Sequence, residues 1–212
     1  MPIHDPAIFP ASIRHADLQP EDLHCDERRF KNYPGVEEQD VTDTELSSHL
    51  QQGHLAAFDS YAELAAYVGS SPILNKLGLI VKTRNGITKS RMILDTKESG
   101  VKTITSQAQR LTLPSPFDAI LQILFLLACV ASGVSGAWEM VETFVLDFSD
   151  AYWQIPIHKA EQQFFCATSL IGGKRKWFVF LRAAQGSSAG GTLWNRLSAL
   201  LMRLTQSLYD PS

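Results

Sequence analysis

The run Val145-Leu146-Asp147-Phe148-Ser149-Asp150-Ala151-Tyr152-Trp153-Gln154-Ile155-Pro156-Ile157-His158 sets two carboxylates three residues apart at the end of an apolar, β-prone stretch, with aromatics directly after them. A strand that delivers Asp147 to an open edge, with Phe148 turned the other way, offers a carboxylate to a divalent cation. Oxygen ligands suit Mg²⁺, which takes one or two protein carboxylates and completes its shell with substrate phosphates and water. A carboxylate pair alone is a weak signal. The order and spacing of the whole string carry the weight.

Two other stretches stand out by residue type and turn chemistry, though each alone is a weak signal. Lys82, Arg84, Lys89 and Arg91 flank Asn85-Gly86, a strong hairpin-turn signal. A planar guanidinium binds phosphate oxygens in pairs, which a solvated surface cation does not need to do. Farther on, Phe178-Val179-Phe180-Leu181-Arg182-Ala183-Ala184-Gln185-Gly186-Ser187 ends an apolar strand in a Gln-Gly pair, where Gly186 lets the backbone approach a neighbour closely.

In this order and spacing the three stretches resemble reverse transcriptases, the RNA-directed DNA polymerases of the retroviral and LTR-retrotransposon kind. The resemblance covers about residues 70–212 and is best between 140 and 186. It implies template-directed, Mg²⁺-dependent deoxynucleotidyl transfer. Asp147 would be the catalytic metal ligand and the backbone carbonyl of Phe148 a second metal contact. Asp150 and Ala151 would line the triphosphate through their amides. Tyr152 would be the ring that excludes a ribose 2′-hydroxyl and so favours DNA synthesis. Arg91 would meet the triphosphate together with Arg84 or Lys82, and Gln185 and Gly186 would lie beside the nucleotide sugar and the template base. Trp153, turned opposite to its neighbour on a strand-like path, reads as core.

The implied partners are an RNA or DNA template-primer, a deoxynucleoside triphosphate and the remaining polymerase domains. The implied cofactor is a pair of Mg²⁺ ions, one acting on the primer hydroxyl and one on the triphosphate. The family holds them with three carboxylates, two from a Tyr-x-Asp-Asp hairpin. The 212 residues spell no Tyr-x-Asp-Asp, and Tyr209-Asp210 is followed by Pro211, which suits a turn. The resemblance therefore implies a fragment with an incomplete two-metal site, inactive as this chain alone. The alternative is a non-catalytic remnant of the same fold that binds nucleic acid or protein.

Elements must position these groups. An apolar content of 45% is ordinary for a globular chain, so a core is available. Residues 1–80 hold 5 Lys/Arg against 13 Asp/Glu and residues 81–212 hold 14 against 9, an acidic lead before a basic body that fits a polyanion. Cys25, Cys129 and Cys166 are scattered, against a disulfide framework or a zinc site, and no secretory signal opens the chain, so an intracellular setting is expected. Segment 1–45 reads as an acidic, disordered or loosely docked leader, 46–140 as a helical lead-in and fingers part, and 141–212 as palm with a fingers insertion at about 155–184.

The periodicity predicts one or two short helices between Asp43 and Val68, broken near Gly53, and a hairpin over Ile73–Asp95. It predicts a loop with a short extended piece over 96–116 and a strand over Glu142–Phe148. Strands follow at Phe164–Leu170 and Lys176–Leu181 around Gly172-Gly173, then a helix at Leu193–Leu208. Phe117–Val134 is almost unbroken apolar. It is shorter than the roughly 20 residues of a membrane span and reads as a buried helix with Asp118 as N-cap, so a membrane partner is not expected. The expected fold class is α+β, an incomplete right-hand polymerase fingers and palm with a short antiparallel sheet packed by helices. The open edge and exposed apolar surface of such a fragment predict poor solubility when it is expressed alone.

Overall fold

The computed structural model describes residues 23, 30–37, 40–105, 115–133, 147–187 and 189–209. In chain order it forms α1 (Asp40–Gln51), β1 (Leu55–Phe58), α2 (Tyr61–Val68), β2 (Lys76–Arg84), β3 (Ile87–Asp95), α3 (Val101–Ile104) and α4 (Pro116–Ala131). Short 3-10 turns at Ala151–Gln154 and Lys159–Phe164 lead to β4 (Cys166–Ile171), β5 (Lys174–Phe180) and α5 (Gly190–Tyr209). The fold is mixed α and β; among the described residues the strands pair antiparallel in two sheets, a three-stranded one in the order β1-β5-β4 and the β2-β3 hairpin.

The centre is β5. Its strand carries Trp177-Phe178-Val179-Phe180, and alternate side chains leave a strand on opposite faces. Phe178 and Phe180 enter one cluster with Leu46 of α1, Leu77 and Leu94 of the hairpin, and Trp153. Val179 enters a second cluster with Leu64 of α2, Leu74 and Cys166. A strand buried on both faces is why this stretch reads as a continuous apolar run. Asn75, fully buried, ties the base of the hairpin to β4. Its side-chain amide donates to the carbonyls of Phe164 (2.8 Å) and Cys166 (3.1 Å), and its Oδ1 accepts from the Ser99 hydroxyl at 2.6 Å.

The structure departs from the sequence-based expectation in several places. Residues 30–37 and 40–45, expected to be loose, are docked. Val36 is 2% exposed, and Asn32 bridges two elements by accepting from Leu77 N (2.9 Å) and donating to Thr168 O (2.7 Å). Arg175 adds a two-pronged ion pair to Glu37, both contacts 2.9 Å, which holds the Glu37 carboxyl below its ordinary range. Two apolar anchors, Val36 and Phe30, and polar bonds between elements fix this segment, so no apolar period announces it. Residues 55–58 are a strand, not the start of a second helix, because β5 offers them a ladder in which Leu55 faces Phe180 and Phe58 faces Trp177. Within 96–116, residues 101–104 form a helical turn, and 106–114, which cover much of the range expected to hold a short extended piece, lie outside the described residues.

The apolar stretch near 117–134 is helical as expected but is not buried: α4 has no buried residue, and Phe125 is 67% exposed. Its N-cap is Ser115, not Asp118. Ser115 Oγ accepts from Asp118 N at 3.3 Å while the Asp118 carboxylate takes the Ser115 amide at 2.7 Å, a reciprocal capping box with Pro116 in the first turn. Among the described residues no helix is long and apolar enough to cross a membrane.

Candidate functional site

The hairpin register settles which way its cations face. Lys82 lies opposite Lys89, Ile80 opposite Arg91, and Arg84 opposite Ile87. Paired residues share a face, as do alternate residues along a strand, so Lys82, Arg84, Lys89 and Arg91 share one face, all of them solvent-exposed. The opposite face carries Leu77, Met92 and Leu94 into the core. Two lysines directly across a ladder repel, at a cost of about 0.2–1 kcal/mol, and a polyanion laid on this face would offset that repulsion.

Towards its base the same face becomes a groove of about 370 Å³, lined by Tyr33, Gly78, Ile80, Ile93, Asp95 and Gly186 among others. A Cβ on Gly78 would stand 3.5 Å from the Tyr33 ring, so the glycine leaves that ring open to the groove. The Tyr33 hydroxyl donates to Asp95, which raises the Tyr33 pKa above its ordinary value. An apolar floor with an aromatic wall and a glycine edge suits a flat heterocycle.

Gly186 closes the groove. Its φ of +101° lies where side chains are strained, and a Cβ there would come within 2.4 Å of the Leu94 carbonyl. Leu94 N donates to Gln185 O at 2.8 Å, so the loop after β5 docks edge-on to β3. One step back, Ala183 N donates to Ile155 O (2.8 Å) and Ile157 N to Leu181 O (3.0 Å). These bonds join the hairpin, the Gln185-Gly186 loop and the residues that follow Tyr152 into one backbone network, though they are far apart in sequence.

Asp150, Ala151 and Tyr152 sit on a tight 3-10 turn, not on the strand-like path expected for this stretch. Asp150 is left-handed at φ +52° and precedes Ala151–Gln154. The turn is anchored by Trp153, 4% exposed and stacked on Phe180 at 5.9 Å between ring centres, as the core reading of Trp153 anticipated. Tyr152 is half-buried against the start of α5, where a Cβ on Gly190 would lie 3.1 Å from its ring. The Phe148 ring meets Trp194 of α5 edge-on at 5.1 Å.

Residues 141–146, most of the expected strand over Glu142–Phe148, lie outside the described residues, and Asp147 and Phe148 take part in no ladder. Asp147 is exposed and makes no hydrogen bond or ion pair among the described residues; in particular none joins it to Arg84 or Arg91. Among the described residues no group of three or more His, Cys, Asp or Glu side chains could hold a metal ion. One exposed carboxylate does not make a Mg²⁺ centre, and the residues present do not by themselves fit the metal pair.

Two histidines behind the turn had no place in the sequence reading. His49 near the end of α1 and His54 just before β1 both stack on Trp153, at 3.9 Å and 5.2 Å. Their sequence signal is only a pair of histidines five apart; that a tryptophan a hundred residues later lies on them is set by the tertiary fold. No protein-family model matches the chain, and no curated protein matches it either.

Proposed function

We propose that these residues are the fingers and first palm part of a retroelement reverse transcriptase, and that they bind a primer–template and an incoming deoxynucleoside triphosphate. What supports this reading is the backbone network from Leu94 through Gln185 and Ala183 to Ile155. It ties the hairpin, whose one face is cationic, through the Gln185-Gly186 loop to the residues that follow the Asp150–Tyr152 turn. In this reading Arg91, with Arg84 or Lys82, takes phosphate oxygens, and Tyr152 and Gln185 flank the sugar. A template base lies in the groove against Gly186. Asp147 would be one of the carboxylates that hold Mg²⁺ in a longer chain; the sequence contains no Tyr-x-Asp-Asp to supply the other two. The 212 residues are therefore expected to bind template-primer without extending it.

The test is fluorescence anisotropy of a labelled DNA primer annealed to an RNA template, titrated with the chain over a range of salt. Each neutralised duplex phosphate contributes roughly −0.9 to the slope of log K against log salt, so four hairpin cations predict a slope of roughly −3 to −4. Replacing Lys82, Arg84, Lys89 and Arg91 with alanine should remove most of that slope. Binding that ignores these four residues, or no binding at low salt, would overturn the reading. In a longer chain that also carries Tyr-x-Asp-Asp, Asp147→Ala should abolish Mg²⁺-dependent primer extension while leaving template binding in place.

A further inference from the structure

His49 Nδ1 and His54 Nδ1 face each other at 3.0 Å. A hydrogen bond between two imidazole nitrogens needs one N–H and one lone pair. The contact therefore survives with neither ring charged, or with one, and fails when both are protonated, since two N–H groups then point at each other. The rings do more than pair. His49 stacks on Trp153 at 3.9 Å and 27°, His54 stacks on it at 5.2 Å and 13°, and Phe180 stacks on the same indole at 5.9 Å. Trp153 is the anchor of the turn that presents Asp150, Ala151 and Tyr152. The backbone closes the same corner: His54 N donates to His49 O and Leu181 N to His54 O, both at 2.9 Å.

We propose that His49 and His54 form a proton-sensitive clasp on the Asp150–Tyr152 turn, closed while at least one ring is neutral and opened when both are charged. The clasp goes beyond the polymerase reading and does not depend on it, because it concerns how the turn is held and not what the turn meets.

The charged groups around the pair set its direction. His49 is faced by Glu45 on its own helix, 3.8 Å from Nε2, by His54 and by Asp150 of the turn. Glu45 is itself held by the Ser90 hydroxyl of β3. His54 is faced by Asp150 and by Arg182 after β5. Burial acts first on both rings and lowers both pKa values, helped by His54 at His49 and by Arg182 at His54, against the two carboxylates. A histidine whose folded value is depressed favours the fold fully above its ordinary value of 6.5, and that contribution is lost as the pH falls below it. The clasp should therefore open on acidification, in the window that begins near neutral pH and runs downward.

The experiment is hydrogen exchange on the full chain, read by mass spectrometry at neutral and mildly acidic pH and corrected for the intrinsic rates. Protection of amides 150–154 should fall on acidification by more than that of β4 and β5, because the open turn binds protons on the two rings better than the closed one does. Amides of β4 and β5 should hold. His54→Asn keeps a polar group near the Nδ1 position but cannot take a proton, so it should retain protection at 150–154 at both pH values. Equal protection in the wild-type chain at the two pH values overturns the clasp, and so does an equal loss in His54→Asn. Should that variant not fold, NMR titration of the two imidazoles in the wild-type chain decides. The second protonation must coincide with the change in the Trp153 indole signal, assigned by its loss in Trp153→Phe; protonation of both rings without that change overturns the proposal. Failure of template binding in the anisotropy test would leave each of these readouts intact.

Discussion

β5 and α4 carry apolar runs of similar density and are packed in opposite ways. Phe178, Val179 and Phe180 are sealed on both faces, with a strand on each side. α4 strings Ile120, Leu121, Ile123, Leu124, Phe125, Leu126 and Leu127 along a helix with no buried residue. The strand owes its existence to partners, because a ladder needs a second chain segment. The helix owes its existence to local signals: a reciprocal capping box, a proline in the first turn and good helix formers behind them. Secondary structure and burial are thus separable here. A helix that is hydrophobic on all sides is ordinarily a buried one, yet no described element seals this one.

The largest effect expected from that contrast is at the strand. Phe178→Ala empties the middle of the core and should lower the unfolding free energy by about 3–5 kcal/mol, read by urea denaturation. A loss below about 1 kcal/mol would mean that β5 is not the organising element.

Next in size is Gly186→Ala, which tests whether the hairpin and the loop after β5 are one unit. The new Cβ would meet the Leu94 carbonyl at 2.4 Å on a backbone already at φ +101°. A cost of about 1–3 kcal/mol is expected, with loss of exchange protection at the Leu94 amide before that of Phe178. Gly172→Ala is the control: its φ is +56°, but a Cβ there meets nothing within 4 Å, so it should cost less and leave Leu94 protected.

How much of this was legible follows from how local each cause is. Asn85-Gly86 and Gly172-Gly173 are turn chemistry, and both hairpins formed around them. The leucine period from Leu193 onward gave α5. β1 was missed because Leu-Ala-Ala-Phe between two helical patterns has no period of its own; pairing with Trp177–Phe180 makes it a strand. The docking of residues 30–37 was missed because its apolar anchors, Phe30 and Val36, are too few to show a period, and Asn32 and Glu37, which complete it, look the same whether solvated or bonded. At the site, the three stretches were legible as types and spacing. The backbone network that joins them, and the stacking of His49 and His54 on Trp153, are contacts between segments distant in sequence that no local pattern records.

A smaller effect, of opposite sign in two measurements, comes from the hairpin. Lys82→Glu replaces a Lys–Lys cross-strand pair with an attractive one, so the hairpin should gain about 0.2–1 kcal/mol, more at low salt. Template binding should weaken in the same variant. Stability rising while binding falls is the signature of a face arranged for a polyanion; the two moving together would show that the lysines serve the fold.

The smallest expected effect on stability is at α4. Phe125→Glu places a carboxylate on a side chain that is 67% exposed among the described residues, with little change in helix propensity, so the unfolding free energy should move by no more than about 0.5 kcal/mol. Its effect on association should be larger. Exposed apolar patches of this kind drive self-association, so static light scattering of the wild-type chain should show growing particle mass with concentration and the variant should suppress it. A destabilisation of several kcal/mol would show instead that α4 is packed in solution and that its exposure is not a property of the folded chain. Intact stability with undiminished association would move the sticky surface elsewhere, to α5, where Leu200 and Leu204 are the next exposed leucines along a helix. Either outcome tells apart an apolar run that is buried from one that is merely helical, which is the distinction the sequence did not carry.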